Sequence, residues 1–446
     1  MSSISTAKNP PFTKASSQMW VHQFGTGVRP TGEDDQGDTL TGAATDMQGN
    51  VVVAGSTTGA FPGFMNPSGI PQDVVAKFDP TGKQLWLKQF GTSGGDQLLA
   101  VAVDGQANIA VGGITKGAFP GFANPTHSTQ AVVEKLDSSG HPLWLQQFRT
   151  GTNTLVNAIA VDSHGNVLVC GQTGPAPYPY QTVLAPFGPY SPMQPVNIFV
   201  EKLNGATGAQ EWIQQFGNQI ATDSVTGIAV DSQDNPVIVG TTSGAFPGNA
   251  FATDLNPSLP FILKLSAASG QTLWVQQTTP QSLPSAYFYN AVAVDSAGNV
   301  IVDGQGDLQG GPQCLLFKFS GANGKELWRQ NFGGRQQALV GGLALDTDGS
   351  ILVGGYTRGA FLPAFTATND DIFLAKFTGS GHAVSIQQFG TGKELEVEDS
   401  QISSPVSVAA DAQNNTFVGG MTTGAFPGST NANAAQELFL AKFGPQ

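Results

Sequence analysis

Trp20-Val21-His22-Gln23-Phe24, near the N-terminus, and Lys442-Phe443-Gly444-Pro445-Gln446, at the C-terminus, are the two stretches on which the fold turns. Elsewhere in the chain a segment of the A/E-K-F/L type is followed by one of the W-x-Q-Q-F type, with single substitutions from unit to unit. At the termini the second half comes first and the first half comes last. The Lys marker recurs at Lys77, Lys135, Lys202, Lys264, Lys318, Lys376 and Lys442. The Trp marker recurs at Trp20, Trp86, Trp144, Trp212, Trp274 and Trp328, with Ser385 in the remaining place. A third marker, the Asp of an A-x-D-x-x-G-N turn, stands at Asp46, Asp104, Asp162, Asp231, Asp295, Asp346 and Asp411. Each marker occurs seven times, at intervals of roughly 50–70 residues, which is the signature of a stacked or circular repeat.

Within each unit the local chemistry reads as strands. Runs such as Asn50-Val51-Val52-Val53 and Asp73-Val74-Val75 are β-branched and bounded by turn residues. Asp79-Pro80-Thr81-Gly82 and Asp46-Met47-Gln48-Gly49-Asn50 read as hairpin turns, where Gly or Asn supplies positive φ. No segment has a sustained 3.6-residue apolar period, so almost no helix is expected. Each unit is four antiparallel strands: A ends in the Asp, B carries G-x-T, C carries A-K-F and D carries W-x-Q-Q-F. The fold class that follows is all-β, a seven-bladed β-propeller. The strand at Trp20–Phe24 is expected to pair with the last blade, removing the exposed edges of an open array. Residues 20–446 form one domain, and residues 1–19 an N-terminal tail with little order.

The recurring Ile372-Phe373-Leu374-Ala375-Lys376-Phe377, G-x-x-L-W-x-Q-Q-F-G-T and A-V-D-x-x-G-N-V resemble the bacterial seven-bladed β-propeller repeat (SBBP repeat) family. The resemblance covers about residues 20–446. It implies the propeller fold and a secreted or cell-surface setting, but no single activity.

Bulk properties narrow the partners. The net charge of −13, with only 19 Lys and Arg, argues against nucleic acid and against anionic membrane surfaces. No apolar stretch is long enough to span a bilayer, so no membrane insertion is expected. The first ten residues lack an apolar h-region, so no signal peptide is read in this chain. Cys170 and Cys314 fall in non-adjacent blades and are expected as buried free thiols. The protein is expected to be a monomer.

Residues present in every blade are expected to be scaffold. The residue two before the marker Asp is Ala throughout, from Ala44 to Ala409, as an inner strand with little room requires. The Asp and Lys series are expected to form ion pairs or Asp-capped turns, and the D-strand Trp to anchor neighbouring blades. The Phe of Gly-Ala-Phe-Pro-Gly (Phe61, Phe119, Phe246, Phe426, and Phe361 in a variant) reads as a plug between blades rather than a ligand-binding crown.

Function is sought where the repeat breaks. Excess length collects in the B–C loops and D–A crossovers, which share one face, and loops on a rigid scaffold commonly carry function. Blade 3 replaces its regular loop with a Pro- and aromatic-rich segment holding Tyr178, Tyr180, Phe187 and Tyr190, and the crossover into blade 5 carries Tyr287 and Tyr289. These aromatics are the candidate ligand contacts. Asp303, at a strand position occupied elsewhere by Ala, Gly, Cys or Val, and nearby Asp307 are the weak catalytic candidates. Asp34, Asp35, Asp38, Glu398 and Asp399 gather carboxylates near blade 7 and are the weak candidates for Ca²⁺, although no EF-hand spacing is present and no cofactor is required. The leading expectation is a binding propeller that recognises a glycan or protein on the long-loop face. The alternatives are a polysaccharide lyase or glycoside hydrolase using carboxylates on that face, with calcium as an option, and a structural surface or assembly protein.

Overall fold

The computed structural model describes residues 13–14, 18–28, 37–174, 196–217, 223–244, 246, 259–277, 287–308, 311–333, 338–361, 371–391, 406–431 and 435–445. Seven antiparallel sheets follow one another along the chain as blades. In order A to D, blade 1 is Asp38–Thr45, Val51–Thr57, Gln72–Phe78 and Gln84–Phe90. Blade 2 is Asp96–Val103, Ile109–Thr115, Gln130–Leu136 and Pro142–Phe148; blade 3 is Asn153–Val161, Val167–Gly174, Asn197–Leu203 and Gln210–Phe216. Blade 4 is Asp223–Val230, Pro236–Thr242, Leu259–Leu265 and Thr272–Gln277; blade 5 is Tyr287–Val294, Val300–Leu308, Gly311–Phe319 and Glu326–Phe332. Blade 6 is Ala338–Leu345, Ile351–Thr357, Asp371–Phe377 and Ala383–Phe389; blade 7 is Ser407–Ala410, Thr416–Thr422 and Glu437–Phe443. Its D strand is Gln18–Phe24, from the other end of the chain. No helix occurs among the described residues.

The closure uses the register of every other blade. Trp20 stands opposite Lys442, as Trp86 stands opposite Lys77, Trp144 opposite Lys135 and Ser385 opposite Lys376. Thr13–Lys14, within the 1–19 segment, adds a short parallel strand to blade 6 opposite Ser385 and Ile386. The blade without the tryptophan is thus the one that receives an extra strand.

A strands of successive blades touch one another around the ring, including those of blades 7 and 1. Side-chain room there is small: a Cβ added to Gly42 would meet Val101 Cγ1 of blade 2 at 2.9 Å. The Gly of the B-strand motif answers a second crowding. In blade 1 the A–B pairing shifts between Leu40 and Gly42, and this bulge presses a carbonyl onto the partner strand. A Cβ on Gly55 would lie 1.8 Å from Thr39 O, and one on Gly113 in blade 2 would lie 1.9 Å from Gln97 O. Only glycine fits.

The apolar core is divided among the joints. Val75 of blade 1 packs with Leu98, Ile109, Val111 and Leu136 of blade 2. Phe78 and Val74 of blade 1 pack with Phe417 and Leu438 of blade 7. Equivalent clusters fill the other five joints. At about 1.5–3 kcal/mol for each large buried side chain, these layers are the main cohesive term. Cys170 and Cys314 are buried free thiols, so no disulfide links blades 3 and 5.

Candidate functional site: the blade joints and the cleft between blades 1 and 2

The repeated polar residues form joints. Asp46 Oδ1 accepts from the amides of Gln48 and Asn50, closing the A–B turn, while Oδ2 accepts from Lys77 Nζ at 2.9 Å. The same Asp–Lys pair occurs in all seven blades, at 2.7–2.9 Å in six and at 3.9 Å for Lys442–Asp411. Burial alone would raise the Asp46 carboxyl, but hydrogen bonds from Asn50 and Lys77 outweigh it and hold it below the usual range. Asp104, Asp162, Asp231 and Asp295 are held down in the same way. Lysine and tryptophan also reach together into the next blade. Lys77 Nζ and Trp86 Nε1 both donate to Ser138 O, Lys202 and Trp212 to Ala267 O, and Lys264 and Trp274 to Gly321 O. At the closure Lys442 and Trp20 share Pro80 O.

The second Gln of W-x-Q-Q-F clamps the Gly-Ala-Phe-Pro-Gly turn. Gln89 accepts from Phe61 N and donates to Gly59 O, and Gln23 does the same for Phe426 and Gly424 in blade 7. The Phe then lies between blades. Phe246 is 4.7 Å from Phe261 of its own blade and 6.3 Å from Phe216 of blade 3, centroid to centroid. Phe61, Phe119, Phe246 and Phe426 are buried and Phe361 is half-buried, as plugs should be.

Several of the residues singled out from sequence take other places. Tyr178, Tyr180, Phe187, Tyr190, Asp34, Asp35, Glu398 and Asp399 lie outside the described residues, as do the side chains of Tyr287 and Asp307. Tyr289 is a correction: it is 2 % exposed, edge-on to Phe317 and Phe319, and offers no surface to a ligand. Asp38 is another. Its carboxylate is 0 % exposed and accepts from Thr26 N, Thr26 Oγ1 and Thr57 Oγ1, so it clasps the crossover to blade 1 instead of standing in an open acidic rim. Asp96 holds Thr92 in the same way in blade 2. Asp303 is also 0 % exposed. It accepts from Ala291 N where the A strand of blade 5 bulges, and burial pushes its carboxyl up to about 7. That is a capping role, closed to substrate. On the hairpin face, His164 lies beside Asp162 and Asp234, but Asp162 is held by Lys202 and Asp234 binds Ser163 across the joint.

A built concavity lies on the side of the long loops. A cleft of about 540 Å³ separates the outer strands of blades 1 and 2, within the roughly 300–1,000 Å³ usual for ligand sites. Its walls are Phe64, Phe90, Phe119, Pro120, Leu136 and Leu145. Phe64 and Phe119-Pro120 come from the two B–C loops, and the rest from strands C and D. Two charged side chains complete it, Lys88 and Glu134. Glu134 is 7 % exposed, its Oε2 has no hydrogen-bond partner, and burial raises it to about 7 although Lys88 pulls the other way.

Behind the cleft, in the same joint, Asp73 is 0 % exposed with both oxygens unpartnered. Burial, then Asp96 and Glu134, push it well above the ordinary carboxylate range. Asp96 is raised by burial, although hydrogen bonds from Thr115 and Thr92 oppose the shift. The ligand atoms of Asp73, Asp96 and Glu134 do not fall together within 4.8 Å, so the three form no ready-made cation site. Sequence reading missed Glu134 and Asp73, yet the signal was present. Glu134 aligns with Ala76, Leu263, Phe317, Ala375 and Ala441, and Asp73 with Ala131, Ile198, Pro260, Cys314, Ile372 and Leu438. Glu201 in blade 3 repeats the Glu134 anomaly, buried and raised to about 7 by that burial.

Comparison with known proteins agrees with the architecture. Residues 211–247, from the D strand of blade 3 through strand B of blade 4, match the SBBP β-propeller repeat. An uncharacterized WD repeat-containing protein of Acanthamoeba polyphaga mimivirus is 21 % identical over 439 residues, covering 79 % of this chain but 31 % of that protein. Among solved structures, the β-propeller domain of the Trilobed protease from Pyrococcus furiosus is 10 % identical with a TM-score of 0.47, over 92 % of this chain and 96 % of that one. A protein of unknown function from Bacteroides caccae is 12 % identical with a TM-score of 0.41, over 75 % and 94 %. With its repeated markers and its seven four-stranded blades the chain is a seven-bladed β-propeller, and one stretch of it, residues 211–247, matches the SBBP β-propeller repeat.

Proposed function

We propose that this propeller is a binding protein that recognises a glycan or protein ligand through the face carrying its B–C loops and D–A crossovers. The observation that carries the reading is the cleft between blades 1 and 2, where two B–C loops bring Phe64 and Pro120 to an open apolar concavity over the buried Phe119. The repeated Asp, Lys, Trp and Gln are committed to joints, which leaves specificity to the variable loops. In this reading the protein acts as a monomer, with neither nucleic acid nor membrane insertion.

The test is a glycan array together with a panel of purified proteins, run on the full chain. Two variants accompany it, one with residues 175–195 replaced by a Gly-Ser linker and one with Phe64→Ala. Ligands that lose at least tenfold affinity in either variant support the reading. Silence of the whole panel, or ligands indifferent to both changes, overturns it.

A further inference from the structure

We infer that the cleft between blades 1 and 2 receives a protonated primary amine carried on an apolar stem, with Glu134 as its counter-ion. The inference rests on the binding reading above and assigns its chemistry. An unpaired carboxylate buried in an apolar wall is disfavoured by several kcal/mol unless something compensates it. Five of the seven blades avoid this by placing Ala, Leu or Phe at the position. Blade 2 instead keeps an ionisable group whose Oε2 is unpartnered and which lines a cavity large enough for a ligand.

Lys88 does not fill the role. Its stem runs over the blade-2 turn, with Cε 2.9 Å from where a Gly140 Cβ would stand, and among the described residues it makes no ion pair with Glu134. Asp73, Asp96 and Glu134 share this joint, but burial pushes Asp73 well above the ordinary carboxylate range and Asp96 is held by Thr92 and Thr115, which leaves Glu134 as the carboxylate that meets an arriving cation. The trio is too spread to ligate one metal ion, whereas an ammonium needs a single charge-assisted contact and an apolar bed for its stem. Phe64, Phe90, Pro120 and Leu145, which keep exposed surface, supply that bed. A free alkylamine and a lysine side chain of a peptide offer the same chemistry.

Isothermal titration of the full chain at pH 8, where both an alkylamine and Glu134 are charged, separates the possibilities. The probes are n-hexylamine, n-hexanol, hexanoate, acetyl-Leu-Lys-Leu-amide and its norleucine analogue. The amine is expected to bind at least about tenfold tighter than the alcohol, the margin of one charge-assisted hydrogen bond, and hexanoate weakest. Glu134→Gln should erase the margin while leaving hexanol binding intact, and Lys88→Met should widen it. Leu145→Trp, which fills the cleft without touching a charge, should abolish both. Thermal melts confirm that each variant folds. Equal binding of amine and alcohol, or a margin that survives Glu134→Gln, overturns the inference while leaving the cleft a binding site. No binding of any probe overturns the inference, while the binding reading stands or falls by the array and protein panel. A lysine peptide that outbinds hexylamine identifies a protein as the source, and the reverse order identifies a free amine.

Discussion

Lys77 shows how much one side chain does in this fold. Its ammonium is almost wholly buried, neutralises Asp46, and shares Ser138 O with Trp86, so it joins a turn of its own blade to the next one. Breaking a buried pair from one side leaves the other charge uncompensated, at a cost of about 3–5 kcal/mol. Lys77→Met is therefore expected to lower the unfolding free energy by about 3 kcal/mol in urea titrations. Adding Asp46→Asn should restore part of the loss. A single variant as stable as wild type would refute the joint. The Asp and Lys series were legible in sequence because repetition betrays structural use. Which atoms they reach was not, since Ser138 lies far along the chain and meets Lys77 only when blades stack.

At the level of the element, the outer strand Gln18–Phe24 performs every D-strand task for blade 7. It pairs with Glu437–Phe443, clamps the Phe426 turn through Gln23, and sets Phe24 5.2 Å from Phe78 of blade 1. Deleting residues 1–24 should leave the Glu437–Phe443 edge bare and Phe417 and Phe78 uncovered, a template for pairing between molecules. Light scattering should then show oligomers, and calorimetry a broadened transition at lower temperature. A monomeric deletion variant with an unchanged melt would remove the latch from the account. This strand was readable from the displaced W-x-Q-Q-F alone. The long loop of blade 3 was readable only as a break in the pattern, because its residues follow no repeated register.

For the whole molecule, two populations of carboxylates oppose each other in pH. Asp46, Asp104, Asp162, Asp231 and Asp295 are lowered in the folded state, so their contribution is lost as the pH falls through and below the ordinary value of 3.8. Glu134, Glu201 and Asp303 are raised to about 7 and Asp223 to about 6, each by burial. The native state holds these protons more tightly than the unfolded chain, so stability declines as the pH rises from about 4.5 to 7. Urea midpoints should therefore peak near about pH 4 and fall toward both more acidic pH and pH 8. The double variant Glu134→Gln with Glu201→Gln should gain on the order of 3–7 kcal/mol at pH 8 and far less at pH 4. A monotonic profile would contradict the burial of these groups. The sequence by itself determined the blade number, the strand order, the closure and the scaffold role of its repeated residues, because each depends on local pattern and periodicity. Only the tertiary structure decided that Tyr289 and Asp303 are sealed in joints and that Glu134 and Lys88 line one apolar cleft. Burial and cavities arise between blades, where residues distant in sequence are brought face to face.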